Sequence, residues 1–205
     1  MAKGHLFVIS APSGAGKTSL VKAIMKEAKQ MQTSVSYTTR PMRDGEVNGK
    51  DYHFVDREKF IDMRDANDFL EYAEVFDNFY GTSKSWLNET LNNGDDVILE
   101  IDWQGAEQVR QSFSDSTGIF IVPPSKAILL ARLQGRGTDS DEVIQRRTAE
   151  AITEMSQYPK FDYLVINDDF ETALSEVQAI ILSFRLKTNR QYEKQTTLLD
   201  ELIKS

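Results

Sequence analysis

"SAPSGAGKTSL", Ser10 to Leu20, is the stretch on which the fold turns. It follows a short apolar run, "HLFVIS" (5–10), and leads into "KTSLVKAIMKEAKQM" (17–31). In that second segment Leu20, Val21, Ile24 and Ala28 recur at helical spacing. A buried strand, a glycine-rich turn and a helix opening near Lys17 are the context in which the pattern G-x-x-x-x-G-K-[ST] cradles phosphate. Gly16, Lys17 and Thr18 complete the pattern, while Ala11 stands at its first position, where glycine is usual. That position ends the strand, and a methyl group can fit there. The first backbone N–H groups of a helix have no intrahelical partner and point outward with the positive end of the helix dipole, so an anion fits against them. Gly14 and Gly16 let the backbone come close to it. Ala11, Pro12, Ser13, Gly14, Ala15, Gly16, Lys17, Thr18 and Ser19 therefore form a candidate ATP-phosphate site. Lys17 would reach the β- and γ-phosphates, and the Thr18 hydroxyl would ligate Mg²⁺.

The rest of the chain narrows the class. At 205 residues it is long enough for a real core, and 40% hydrophobic with 27% charged residues is ordinary for a soluble globular protein. No apolar run approaches a membrane span, and the N-terminal run is too short for a signal peptide. There are no cysteines, hence no disulfide framework and no thiolate metal site, and the cytoplasm is the default compartment. A net charge of −8 argues against nucleic-acid partners, which need a basic surface. Arginines nevertheless gather in "TTRPMRDG" (Arg40, Arg43) and "LLARLQGRGTDSDEVIQRRTAE" (Arg132, Arg136, Arg146, Arg147). Such clusters are either scattered surface charge or a grip on a small anion.

Strands and helices alternate along the chain. "TSVSYTT" (33–39), "DYHFV" (51–55), "FLEYAEVF" (69–76), "DDVILEID" (95–102), "SDSTGIFIVPP" (114–124) and "DYLVIND" (162–168) read as strands. "REKFIDMRDAN" (57–67) reads as a helix and "NFYGTS" as a turn. This order predicts an α/β fold: a mostly parallel sheet flanked by helices, of the phosphate-loop NTPase type. The rhythm breaks twice. Between 33 and 94 the strands are short and close, which suggests an inserted lobe with its own mixed sheet. Between 125 and 157 the insertion is helical, with "GRGTDSD" as a hinge. The core is then 1–32, 95–124 and 158–205.

The stretch "SVSYTTRPMRDGEVNGKDYHF" (34–54) resembles the nucleoside-monophosphate lobe of guanylate kinases almost residue for residue. The resemblance continues through "LEYAEVFDNFYGTS" (70–83), "VILEIDWQG" (97–105), "RLQGRGTDS" (132–140) and "VIND" (165–168), in that family's order. It implies transfer of a phosphoryl group from ATP to GMP with Mg²⁺, giving ADP and GDP in purine nucleotide metabolism. The core would hold ATP, the lobe GMP, and the helical insertion would act as a lid.

Carried over position by position, Ser36, Arg40, Arg43, Tyr52 and Tyr80 would hold the GMP phosphate. Guanidinium forks and hydroxyls suit that anion. Glu71 would read guanine, because a carboxylate accepts both N1–H and the 2-amino group and repels the N1 acceptor of adenine. A polar mismatch of this kind can discriminate by roughly 10⁴. Thr82 would bond the base and Asp102 its amino group. Arg136 and Arg147 would neutralise the transferring phosphoryl group, Arg147 also touching GMP. Arg132 would stack on adenine or touch the phosphates, and Asn167 and Asp168 would lie at the adenine edge. Glu100, beside Asp102, is a candidate for a water-mediated Mg²⁺ contact. Neither His5 nor His53 falls in a motif, and none is needed: a phosphate monoester, with a second pKa of about 6, is already largely dianionic at neutral pH.

Two alternatives stay open. A catalytically inactive guanylate-kinase-like module that binds phosphopeptides shares the anion-gripping residues, but typically lacks a competent phosphate loop. The C-terminal "RLKTNRQYEKQTTLLDELIKS" (185–205) either packs its leucines on the core or makes a subunit contact in a homo-oligomer.

Overall fold

The computed structural model describes residues 2–75, 77–134 and 141–204, with the backbone alone between 141 and 147. β1 (Leu6–Ser10) is buried at every position, as a parallel strand covered on both faces must be. It pairs in parallel with β7 (Asp96–Glu100) on one side and β8 (Thr117–Val122) on the other. β2 (Met31–Thr33) and β9 (Tyr163–Ile166) extend the sheet to the order β2-β7-β1-β8-β9, parallel throughout.

α1 (Lys17–Glu27) and α7 (Phe170–Arg185) cover one face, closing Leu20, Ile24, Val177 and Ile181 on Phe7, Ile9, Ile98 and Ile119. α3 (Lys84–Asn92) and α4 (Trp103–Ser112) cover the other, closing Leu87, Leu91 and Val109 on Leu6, Val8, Val97 and Leu99. Each such side chain contributes about 1.5–3 kcal/mol on burial. Because the strands are parallel, the segments that follow β1, β7 and β9 leave the sheet at one edge, where α/β sheets place their ligands.

A second sheet has the order β4-β3-β6-β5, formed by β3 (Tyr37–Thr38), β4 (His53–Phe54), β5 (Phe69–Val75) and β6 (Asn78–Ser83). β3 and β4 run parallel, and the remaining pairs are antiparallel. α2 (Arg57–Asp65) stacks Phe60 on Phe69 and Phe79, with ring centroids 4.5 and 5.4 Å apart. α5 (Lys126–Gln134) and α6 (Asp141–Met155) share a small cluster of Leu129, Leu133 and Ala151. α8 (Thr188–Ile203) closes the chain. No helix among the described residues is long and apolar enough to cross a membrane.

Several sequence expectations shift. The helix read over 17–31 ends at Glu27, because Met31 is buried and pairs with Asp96 as the start of β2. The strand read over 33–39 is divided: Thr33 ends β2 in the core sheet, and Tyr37–Thr38 belongs to the second sheet. α3, which falls inside the segment read as a lobe, packs on the core. "NFYGTS" is the strand β6 and not a turn; the reversal lies at Asp77, whose φ is 64°. Gly81 suits that strand because a Cβ there would lie 3.0 Å from the Phe69 ring and 3.1 Å from Phe60. The strand read over 95–102 stops at Glu100, and Asp102 becomes the N-cap of α4. In the C-terminal tail, Leu198, Leu202 and Ile203 are exposed on α8 and do not pack on the core.

Candidate active site

A cleft of about 1310 Å³, counting its open mouth, lies at the carboxyl edge of the core sheet. Its walls are the loop after β1, the end of β7 with Asp102, the facing side of the second sheet, and Glu154 from α6. The loop is shaped by Gly14 and Gly16, with φ of 87° and 93°, where side chains are disfavoured. α5 rests on it: a Cβ on Gly14 would lie 3.0 Å from Leu129. Ala11 is half-buried against the α1/α7 cluster, so its methyl is part of the packing.

The loop's candidate ligand-binding groups have partners within the protein. Lys17 Nζ donates to the Ile101 carbonyl at 3.0 Å. The Thr18 hydroxyl donates to a Glu100 carboxylate oxygen. The Ser13 N–H donates to Glu154 Oε2 at 3.2 Å. Burial raises the pKa of Glu154, against the pull of that N–H and of the Lys17 charge.

Asn167 is the residue expected at an adenine edge. It is buried, and its Nδ2 donates to the Ala15 carbonyl at 2.7 Å. A Cβ on Gly16 would collide with the same nitrogen. Asn167 thus braces the loop, because β9 delivers it beside the Ala15 carbonyl. Asp168 next to it is exposed. Arg132 Nη2 donates to the Asn167 carbonyl at 3.1 Å, while its Nη1 is buried without a hydrogen-bond partner among the described residues. An orphaned guanidinium nitrogen suits a phosphate oxygen better than a stacked ring.

The facing wall carries a buried acid. Glu71 on β5 is only 4% exposed, next to an irregularity in the β5–β6 register between Phe69 and Glu71. Desolvation raises its pKa to about 7, hydrogen bonding from Thr82 offsets part of that, and the nearby Asp102 charge adds to it. The Thr82 hydroxyl is itself buried without a partner of good hydrogen-bond geometry among the described residues. Gly105 makes room for the acid: a Cβ there would stand 2.6 Å from Glu71 Oε2. Asp102 Oδ1 accepts the Gly105 N–H at 2.8 Å, capping α4 and leaving the carboxylate at the cleft wall.

Ser36, Arg43, Tyr52 and Tyr80 line the same cleft. Arg40 is not part of that lining. It pairs with Glu46 at 2.7 Å and lies over the Tyr52 ring, 5.4 Å from its centroid. Glu46 also accepts the Arg43 N–H at 2.8 Å, so one carboxylate organises both arginines. Arg136 and the side chains of Arg146 and Arg147 lie outside the described residues. Glu46, Gly105 and Glu154 were not singled out by sequence reasoning; Glu46 was legible as an acid beside two arginines, whereas the other two carry no local signal.

The parallel sheet, its loop and the divided cleft define a phosphate-loop kinase with a second, side-chain-built wall facing the phosphates. A profile of the family described as guanylate kinase matches residues 3–184. A guanylate kinase of Hahella chejuensis is 56% identical over 191 residues, covering 93% of this chain and 92% of the relative. One of Vibrio cholerae is 51% identical over 205 residues, covering 99% of each. The crystal structure of guanylate kinase from Anaplasma phagocytophilum superposes with a TM-score of 0.75 at 34% identity, covering 92% of this chain and 90% of that one. The chain belongs to the guanylate kinase family, and it is a nucleoside-monophosphate kinase.

Proposed function

We propose that the cleft transfers the γ-phosphoryl group of ATP to GMP, with residues 11–19 holding the ATP phosphates and the second sheet holding GMP. The observation that carries this reading is the meeting, in one cleft, of the phosphate loop and the buried carboxyl of Glu71. A GMP phosphate oxygen forms a bond to the γ-phosphorus as the bond from that phosphorus to the β-bridging oxygen breaks, and ADP carries away the electron pair. The attacking oxygen is already ionised, so no general base is required. Catalysis is then positioning and charge stabilisation.

Lys17 exchanges the Ile101 carbonyl for β- and γ-phosphate oxygens. The free Nη1 of Arg132 takes a phosphate oxygen, and Asn167 keeps the loop in shape. Arg136 and Arg147 approach from the lid, 125–157, as it closes over the core. Ser36, Arg43, Tyr52 and Tyr80 grip the GMP phosphate, joined by Arg40 once it exchanges Glu46 for the anion. Glu71 accepts N1–H and the 2-amino group of guanine, Thr82 uses its unpartnered hydroxyl on the base, and Asp102 adds an acceptor for the amino group. The oxygen pair of Thr18 and Glu100 suits Mg²⁺, a hard cation that binds through few protein ligands and keeps waters and phosphates around it. Bound there, Mg²⁺ neutralises phosphate charge.

An ADP-release assay with ATP and Mg²⁺, offering GMP, AMP, CMP and UMP in turn, tests the proposal. Turnover with GMP alone is the expected result. Absence of turnover with all four, alongside measurable GMP binding, would point instead to a phosphopeptide-binding module.

A further inference from the structure

Glu154 has no part in that scheme, yet it reaches the centre of the cleft. It sits in the last turn of α6 and crosses to the loop after β1, where its Oε2 accepts the Ser13 N–H at 3.2 Å. That N–H belongs to the loop whose outward donors are there for phosphate. The carboxylate therefore stands where an anion would, and it does so inside the cleft, facing Lys17. Asp102 faces it from the wall of the cleft and Glu150 lies one turn earlier on α6, and both like charges act against its ionised form, while the Ser13 N–H and Lys17 favour it. A second anion brought to the same donors meets a like charge in a site partly shielded from water, where such repulsion is strong. Arg147 lies seven residues earlier on α6, about two helical turns. Whatever moves Glu154 moves the helix that carries that arginine.

We infer that Glu154 occupies the anion position of the phosphate loop while no nucleotide is bound, and that it is displaced when ATP phosphates arrive. Nucleotide binding and the placement of α6 are thereby coupled, and the coupling is reciprocal. This rests on the reading above that ATP phosphates bind residues 11–19. Glu154 is a positioning residue: it acts on the phosphates by competing for their donor and on the lid by tethering it.

The test is a calorimetric titration of full-length wild-type protein and Glu154→Gln with ADP, and with pyrophosphate as a probe that lacks a base. Glutamine keeps the size and removes the charge. With the charge gone, the hydrogen bond to be broken is a weaker neutral one and the like-charge repulsion is absent, which corresponds to about tenfold tighter binding of both probes, with GMP affinity unchanged. A merely structural loss would weaken every ligand and cannot produce that split. Equal or weaker ADP binding by Glu154→Gln would overturn the inference. Should that variant fold poorly, Glu154→Asp, whose carboxylate falls short by one methylene, is expected to tighten ADP severalfold, and unchanged affinity there would equally overturn it. If wild-type protein bound neither probe, the nucleotide reading itself would fail.

Discussion

At the phosphate loop every group just described is spoken for: Lys17 by the Ile101 carbonyl, Thr18 by Glu100, Ser13 by Glu154, Ala15 by Asn167. At the opposite wall the Glu71 carboxyl is buried with its pKa raised to about 7, and the Thr82 hydroxyl beside it lacks a well-aligned partner. The loop side exchanges one set of hydrogen bonds for another on binding, so its net gain is modest and falls on any triphosphate. The wall holds a desolvated carboxyl and a poorly paired hydroxyl, so on the proposed reading it gains more from a matching base. Leaving buried polar groups unpaired is what makes a wrong base costly. On the proposed reading, selectivity therefore belongs to the wall, and phosphoryl chemistry to the loop.

Two substitutions should separate the halves. Lys17→Ala removes the cation that follows the phosphates, and turnover should fall about 10³-fold or more, as for other lost transition-state donors. GMP affinity, read by calorimetry, should stay within about twofold; a large loss of GMP binding would show that the halves are not independent. Gly105→Ala strikes the wall. The added methyl would stand 2.6 Å from Glu71 Oε2, so the carboxylate must shift, and the KM for GMP should rise about tenfold while that for ATP holds. Alanine favours a helix over glycine, so any loss cannot come from α4 itself. An unchanged KM for GMP would mean that Glu71 does not depend on that space.

The same contrast explains what the sequence could say. The loop is built from backbone donors at a strand–helix junction, and such a site is written locally in Gly14, Gly16, Lys17 and Thr18. The core strands are legible because a covered parallel strand is built on a continuous apolar run, as at 6–9 and 97–99. The wall is assembled from distant segments. Gly105 matters only because Glu71, 34 positions earlier, comes to rest on it. Asn167 is committed to Ala15 across 152 positions, and no local pattern distinguishes a brace from a ligand. β6 read as a turn because Gly81 lies within it, although that glycine answers to two phenyl rings.

The most direct measurement is GMP affinity against pH, from 5.5 to 8.5, for wild-type protein and Glu71→Gln. Titration of the GMP phosphate is common to both, so their ratio isolates residue 71. The free carboxyl has its pKa raised to about 7, and the form proposed to read the base is the ionised one. Below that pH a proton must leave before GMP binds. The ratio of wild-type to variant affinity should then climb about tenfold per pH unit up to pH 7 and level off above it, with GMP preferred over AMP in the wild type alone. A flat ratio, with the variant still preferring GMP, would contradict the assignment of base recognition to Glu71.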